Sequence, residues 1–418
     1  MKTKNVPAGL SWKYALLILI AFVVLFSGGF ASGAATVWFL GPQLRTALGH
    51  IKSAPSKGEQ EISWDKEVAL LQEIWAILQR EYIDPQALNA QKMVYGAAAG
   101  FVAAIGDPHT AFVEPLSTAI LNEDMQGSFE GIGATVDMVD GQLVIVRPLP
   151  NSPAEKAGLR AGDIILEVDG TPLKGKTIME AVSLIRGPQG TVVRLLVKRE
   201  GVKEPFIVPV TRAKVELPIL ESKMLPERIA YLRLTEFNAV SAKKVHAALK
   251  ELLAQDPAGL VFDLRNNPGG FLQMSIEVAS EFLPQGTLIV KEKERGKPFK
   301  EYRVRKEGLA TEIPLVVLVN GGSASASEIV AGAIQVNGRG TLIGEKTFGK
   351  GSVQNTHKLE DGSSLRVTIA RWYLPNGNNL DGQGITPDIQ VPMTPKDASA
   401  GRDPQLDRAV DYLLHGAK

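Results

Sequence analysis

The sequence predicts an α/β protein built from several units, a multidomain α+β arrangement. Three observations predict it. From residue 228 onward short apolar strands alternate with amphipathic helices, the pattern of a mainly parallel sheet covered by helices. Between 127 and 213 short strands and a single helix are separated by glycine-containing turns, and between 64 and 105 only helical periodicity is present.

The first 45 residues differ in kind from the rest. Tyr14 to Leu40 carries no charge and exceeds the roughly 20 residues needed to cross a hydrocarbon core. Lys2, Lys4 and Lys13 precede it, so the positive-inside rule keeps the N-terminus in the cytoplasm and exports the remainder. The small residues of "GGFASGAA" (28–35) fit the end of a cleaved signal peptide, whereas "TVWFL" (36–40) continues the apolar run and favours an uncleaved anchor. Either way the folded part is expected outside the cytoplasm. Residues 46–63, including "HIKSAPSKGEQEIS", read as a polar linker.

A helical domain is expected over 64–126, from "VALLQEIWAILQREY" (68–82) and "KMVYGAAAGFVAAI" (92–105), closing at "GDPHTAF" (106–112). In 127–213, "GATVDMVDGQLVIVRPL" reads as a hairpin around Asp140-Gly141, and "TIMEAVSLIRG" (177–187) as a helix. Such a compact module leaves a groove suited to strand addition by a peptide. "FEGIGATV" (129–136) and "SPAEKAGLRAGDIILEVDG" (152–170) resemble a PDZ domain of the protease type. The resemblance implies that the amides of Gly131, Ile132 and Gly133 receive a peptide's terminal carboxylate. A plain glycine turn is the alternative for this loop.

In the core (214–393), strands are expected at 228–234, 259–265, 314–320 and 341–345, with helices at 241–254, 271–283 and 325–336; a tail or helix follows at 394–418. Chemistry in such sheets gathers beyond the carboxyl ends of the strands. Three loops arrive there: "NNPGG" (266–270), "NGGSAS" (320–325) and "KTFGKG" (346–351). A helix from Ser325 runs roughly 18 Å outward, and the following strand returns about 17 Å. A right-handed crossover therefore delivers Lys346 and Lys350 near the start of that helix.

Composition removes other chemistries. The sequence has no Cys, and its five His show no metal-ligand spacing, so neither a thiolate nor a metal or other cofactor is expected. Lys and Arg total 46 against 45 for Asp and Glu, which argues against nucleic acid as a partner. "GGSAS" lacks the last glycine of the GxSxG elbow, and the SxxK matches at 63–66 and 241–244 have no companion motifs. With no His in the three loops, a serine deprotonated by a buried lysine is the economical reading.

Together, "NGGSASASEI", "KTFGKGSVQ", "DLRNNPGG", "ARWYLPNGNNLDGQGITPDIQV" and the PDZ-like module resemble the C-terminal processing, or tail-specific, serine proteases from about residue 64 to 393. The resemblance implies a crotonase-like α/β protease core with an inserted PDZ domain. It implies Ser325 as nucleophile, Lys350 as general base and Gln354 as the residue that orients the lysine. It also implies an oxyanion hole from the Ala326 amide plus that of Gly269 or Gly270, and a coupling role for Arg186 at the end of the PDZ helix. Expected partners are proteins with exposed C-terminal tails, the membrane, and a second copy through the helical domain.

The plainer readings are explicit. Ser323 and Ser327 serve as loop or capping residues, Lys346 is a solvated lysine, and Glu328 favours the helix dipole. His109 is structural, Asp263 and Arg265 are either an ion pair at a strand end or supports of the glycine turn, and Arg186 alone is a cation at a helix C-terminus. The rival function is a membrane-anchored PDZ binding protein with an inactive core.

Overall fold

The computed structural model describes residues 64–416. The uncharged segment 14–40 and the linker 46–63 lie outside these residues, and among the described residues no helix is long and apolar enough to cross a membrane. The chain divides into two compact units, Met1–Leu88 and Asn89–Lys418, so the helical stretch expected over 64–126 is shared between them.

In the first unit, helix α1 (Trp64–Glu81) precedes a 3-10 turn at Pro85–Ala87. Its Val68, Leu71 and Ile74 recur at every third position, as one helical stripe, and all three are exposed.

The second unit begins with α2 (Ala90–Ala103), capped by the Asn89 side chain, which accepts the Lys92 amide at 2.9 Å. Strand β1 (Ala111–Val113) and helix α3 (Pro115–Met125) follow. The PDZ module then comprises β2 (Ser128–Gly131), β3 (Ala134–Val139), β4 (Gln142–Pro148), α4 (Pro153–Lys156), β5 (Ile164–Val168), β6 (Thr171–Pro172), α5 (Ile178–Ile185), β7 (Val192–Lys198), β8 (Phe206–Thr211) and β9 (Ala213–Glu216). Asp140 and Gly141, with φ of 50° and 73°, make the two-residue turn whose twist suits the β3–β4 hairpin. The main sheet runs β3-β4-β5-β7-β8, with β6 paired to β5, while β2 pairs with β9. Alternate residues Val193, Leu195 and Val197 of β7 join Leu143, Ile145 and Ile165 in a separate core. Helix α5 starts at a capping box: Glu180 Oε2 accepts the Thr177 amide at 2.6 Å and Thr177 Oγ1 accepts the Glu180 amide at 3.3 Å.

The rest of the chain holds β10 (Leu220–Leu225), β11 (Ile229–Leu234), α6 (Ser241–Leu253), β12 (Gly259–Asp263), α7 (Leu272–Ser280), β13 (Leu288–Glu294), β14 (Lys300–Arg303), β15 (Leu315–Val319), α8 (Ala326–Val336), β16 (Thr341–Gly344), β17 (Ser352–Lys358), β18 (Ser364–Tyr373), β19 (Ile389–Gln390), α9 (Pro395–Ser399) and α10 (Pro404–His415). One sheet runs β10-β11-β12-β15-β16-β19, parallel throughout except for β10 at its edge. Every residue of β12 and β15 is buried, as befits parallel strands covered on both faces. Alternation along β11 shows the two layers: Ala230, Leu232 and Leu234 pack with α6, α7 and α8, whereas Ile229 and Tyr231 pack with α10.

A second, antiparallel sheet is absent from the expectation. It runs β1-β18-β13-β14, with β17 also paired to β18. Its strands carry mixed apolar and charged residues over long stretches, so their alternation is weak in the sequence; their pairing to distant partners such as β1 is what organises them.

Candidate active site

The carboxyl ends of β12, β15 and β16 bring the three expected loops together. The Glu345 amide donates to Val319 O at 3.0 Å, the Phe348 amide to Ser323 O at 3.0 Å, and the Ala324 amide to Asn267 O at 3.0 Å. These backbone bonds set the loops in register before any side chain acts.

The alternate serines now separate. Ser323 Oγ donates to Leu264 O at 2.8 Å and accepts the Asn320 amide, while Ser327 Oγ donates to Asn267 O at 2.9 Å; both residues are fully buried. They staple the 320–327 segment to the end of β12 and the loop that follows it. Ser325 stands between them, half-buried at the mouth of α8, with φ 54° and ψ −113°. A left-handed φ at a non-glycine residue costs on the order of 1–3 kcal/mol and is a mark of functional sites.

Glu328, one turn into α8, does more than face the helix dipole. Its Oε2 accepts the amides of Ser325 (2.8 Å) and Lys350 (2.9 Å), and its Oε1 accepts Thr347 Oγ1 (2.6 Å) and the Gly349 amide (2.7 Å). One fully buried carboxylate thus ties the serine's backbone to the lysine's.

A cavity of about 620 Å³ is lined by Ser325, Ala326, Lys350, Gln354, Gly270 and Arg366, with Leu121 and Met125 of α3 and Trp372 of β18 completing an apolar wall. Lys350 enters this cavity, whereas Lys346 remains exposed. Burial is the main cause that pushes the Lys350 amine below its usual value; the Arg366 guanidinium adds to the effect and the Asp107 carboxylate opposes it. Gln354 Nε2 donates to Ser352 Oγ at 2.8 Å and Thr368 Oγ1 at 3.3 Å, which leaves its Oε1 as the free acceptor. Among the described residues no hydrogen bond joins Ser325 Oγ to Lys350 Nζ or Lys350 to Gln354.

The two candidate glycines are not equivalent. A Cβ on Gly269 (φ 104°) would lie 2.8 Å from Ser325 Cβ and 2.9 Å from Ala326 N, so only glycine permits this approach. The Gly269 amide, however, already donates to Asn267 Oδ1 at 2.9 Å. Gly270 lines the cavity, and neither its amide nor that of Ala326 has a partner among the described residues. Gly270 is equally intolerant of a side chain, because a Cβ there would meet Phe237 O at 2.3 Å.

Sequence reasoning missed a charged arm from "GDPHT". Thr110 Oγ1 donates to Asp107 Oδ2 at 2.6 Å and accepts the Thr368 amide at 3.1 Å, and Thr368 in turn accepts from Gln354. Burial would raise the Asp107 carboxyl, but bonds from Thr110, Thr368 and the His109 amide outweigh it and hold it at about 2. The chain from motif to glutamine crosses between strands far apart in sequence, which no local pattern reveals. Asp263 and Arg265 resolve as an ion pair: Arg265 donates to Asp263 at 2.6 Å and to Asp403 at 2.8 Å, anchoring the start of α10.

In the PDZ module a groove of about 380 Å³ lies between β3 and α5, lined by Ile132, Gly133, Val136, Ile178, Val182 and Arg186 among others. The Ile132 and Gly133 amides have no partner among the described residues, whereas Gly131 pairs with Ala213 in the β2–β9 ladder. Arg186 caps the C-terminus of α5 and donates to Glu123 at 2.9 Å and Asp124 at 2.7 Å, with Phe129 beneath its guanidinium at 4.3 Å. Both acids lie on α3, whose Asn122 and Met125 line the Ser325 cavity.

Residues 228–391 match peptidase family S41, and residues 144–199 match a PDZ domain family. The chain is 35% identical over 345 residues to a carboxy-terminal-processing protease of Bartonella bacilliformis, covering 82% of this chain and 79% of that one. It is 36% identical over 351 residues to a carboxyl-terminal-processing protease of Synechocystis sp., covering 82% of each. A solved structure assigned to the S41 proteases, from Bacteroides fragilis, shares the fold at 18% identity and a TM-score of 0.52, over 87% of this chain and all of that one. The chain therefore belongs to peptidase family S41, among the carboxy-terminal-processing serine proteases with an embedded PDZ domain.

Proposed function

We propose that the protein is an endopeptidase that captures protein C-terminal tails in its PDZ groove and cleaves them by serine–lysine chemistry. The observation that carries this reading is Ser325: a strained serine at a helix start, sharing one cavity with a half-buried lysine whose charge is disfavoured. Ser325 Oγ attacks the scissile carbonyl, and the neutral Lys350 amine takes its proton and later returns it to the leaving amine. Gln354 orients the lysine through its free Oε1. The Gly270 and Ala326 amides stabilise the oxyanion, a choice over Gly269 supported by the bond that already occupies the Gly269 amide. Water then releases the acyl-enzyme without a metal or cofactor. The absence of a hydrogen bond between Ser325 and Lys350 fits a resting arrangement that tightens with substrate.

In the PDZ module the Ile132 and Gly133 amides, beside Gly131, take the tail's carboxylate while its last residues add to β3. The Arg186 pairs to α3 couple this groove to the cavity. Arg186→Ala should change the activity ratio measured with and without a PDZ-binding tail; an unchanged ratio would remove the coupling. The uncharged segment 14–40 anchors the enzyme with its folded part outside the cytoplasm, and the exposed stripe of α1 pairs two copies. Protease protection of intact cells and light scattering of the purified protein test these two points.

The direct test uses an unfolded protein with an apolar C-terminal tail and the full-length enzyme. Wild type should cleave it, whereas Ser325→Ala and Lys350→Ala should each lose at least about 10³-fold in rate. Cleavage by Ser325→Ala at the normal rate would end the serine assignment. The intact set Ser325, Lys350 and Gln354 disfavours the rival reading of an inactive PDZ scaffold.

A further inference from the structure

Arg366 belongs to no part of the mechanism above, yet it lines the cavity with Ser325 and Lys350. It sits mid-sheet on β18, opposite Ala111 of β1 and Thr356 of β17, so its backbone is fixed on both sides. Its guanidinium makes no hydrogen bond or ion pair among the described residues, although it is only half-exposed. Lys350 likewise has no carboxylate within ion-pair distance among those residues. Two cations therefore share one partly desolvated space without a counter-ion in contact.

Such a pair cannot keep both charges cheaply, and only one member can give way. A guanidinium stays protonated at any accessible pH, whereas a lysine loses its proton when buried beside positive charge. The conflict is resolved at Lys350. Resting on the serine–lysine reading, we propose that Arg366 is a positioning residue for the reaction: its fixed positive charge adds to burial in favouring the free-amine form of Lys350 that a general base requires.

Other charges define how far this goes. Asp107, in the turn before β1, is an anion held in place by Thr110 and the His109 amide, and it acts on Lys350 in the opposite sense. Glu328 on α8 approaches the Lys350 backbone, but its two oxygens are occupied by four donors. The lysine is thus poised between a cation on β18 and a hydrogen-bonded anion on the 106–110 turn. Asp107 prevents the amine from becoming too weak a base to accept the serine proton.

The sign of the test follows. Activity needs neutral Lys350, so kcat/KM rises with pH through the lysine's pKa. Removing the Arg366 charge raises that pKa and moves the rising limb to higher pH, and removing the Asp107 charge moves it to lower pH.

The experiment is the pH profile of kcat/KM for cleavage of the unfolded tailed protein, using full-length wild type, Arg366→Gln, Arg366→Met, Arg366→Lys, Asp107→Asn and Lys350→Ala. In Arg366→Gln and Arg366→Met the limb should shift up by roughly 0.5–1 pH unit, which is about a 3- to 10-fold loss below the midpoint and none on the plateau. Arg366→Lys, which keeps the charge, should hold the limb close to its wild-type position, and Asp107→Asn should move the limb down. A uniform loss at every pH, or an unmoved limb in both neutral variants, would overturn the role of Arg366. Activity persisting in Lys350→Ala would instead overturn the serine–lysine reading on which it rests.

Discussion

The groove between β3 and α5 draws most of its lining from residues 129–186, a single stretch of chain, whereas the Ser325 cavity is assembled from α3, the 268–272 turn, the start of α8, and strands β17 and β18. The groove inherits its shape from local hairpin and helix geometry around its own core. The cavity exists only if α3, the glycine turn, α8 and the β17–β18 hairpin dock in register. Its parts are accordingly cross-tied by buried polar groups: Ser323 and Ser327 to the end of β12 and the loop that follows it, Asn267 to Gly269 and Leu234, and Glu328 to the lysine loop. Recognition and catalysis should therefore fail separately, and the catalytic half should be the more fragile.

The sharpest way to break this contrast is Gly270→Ala. The added methyl meets Phe237 O and distorts the turn carrying the unpaired amide, so peptidase activity should fall at least about 10²-fold while the PDZ groove still binds a tail peptide by fluorescence anisotropy. Equal loss of both would show that the two regions are not independent. A smaller effect is expected for Glu328→Gln. Its amide NH₂ would face donors in place of one carboxylate oxygen, costing about 1–3 kcal/mol and lowering kcat more than it raises KM, again without change in tail affinity. Thermal melts and steady-state kinetics read both parts.

The smallest effect is at the rear of the sheet. Burial would raise the Asp403 carboxyl, but Arg265 outweighs it and holds it below the ordinary carboxylate range. A depressed acid contributes stability above its unfolded pKa of roughly 4 and loses it as pH falls through the folded value. Asp403→Asn should therefore lower Tm most above pH 5, and the gap to wild type should close toward pH 3. A gap that widens on acidification would contradict this sign.

Much of this division was legible in the sequence, and for physical reasons. Parallel strands such as "LVVLV" are continuous apolar runs, "TIMEAVSLIRG" carries helical periodicity, and Asp140-Gly141 marks a hairpin. The strand-end rule brought the three loops together and a crossover of known pitch delivered both Lys346 and Lys350 beside Ser325, while the choice of Lys350 came from the family resemblance. What escaped depends on pairing across long separations. The antiparallel sheet fixes Arg366 at the cavity through its partner at 111, and Asp107 reaches Gln354 only through Thr110 and Thr368. Glu328 read as an ordinary first-turn acid, because the three donors it gathers from 347–350 are invisible from its own helix. Between Gly269 and Gly270 the sequence held no preference, since the distinction lies in where Asn267 turns its side chain.

The most direct test of the central claim is covalent labelling of the full-length protein with a serine-directed fluorophosphonate, located by peptide mass spectrometry. Modification of Ser325 alone, abolished in Ser325→Ala and strongly reduced in Lys350→Ala, is the predicted result. Labelling at Ser323 or Ser327, or labelling of Ser325 undiminished without Lys350, would contradict a lysine-activated nucleophile at this position.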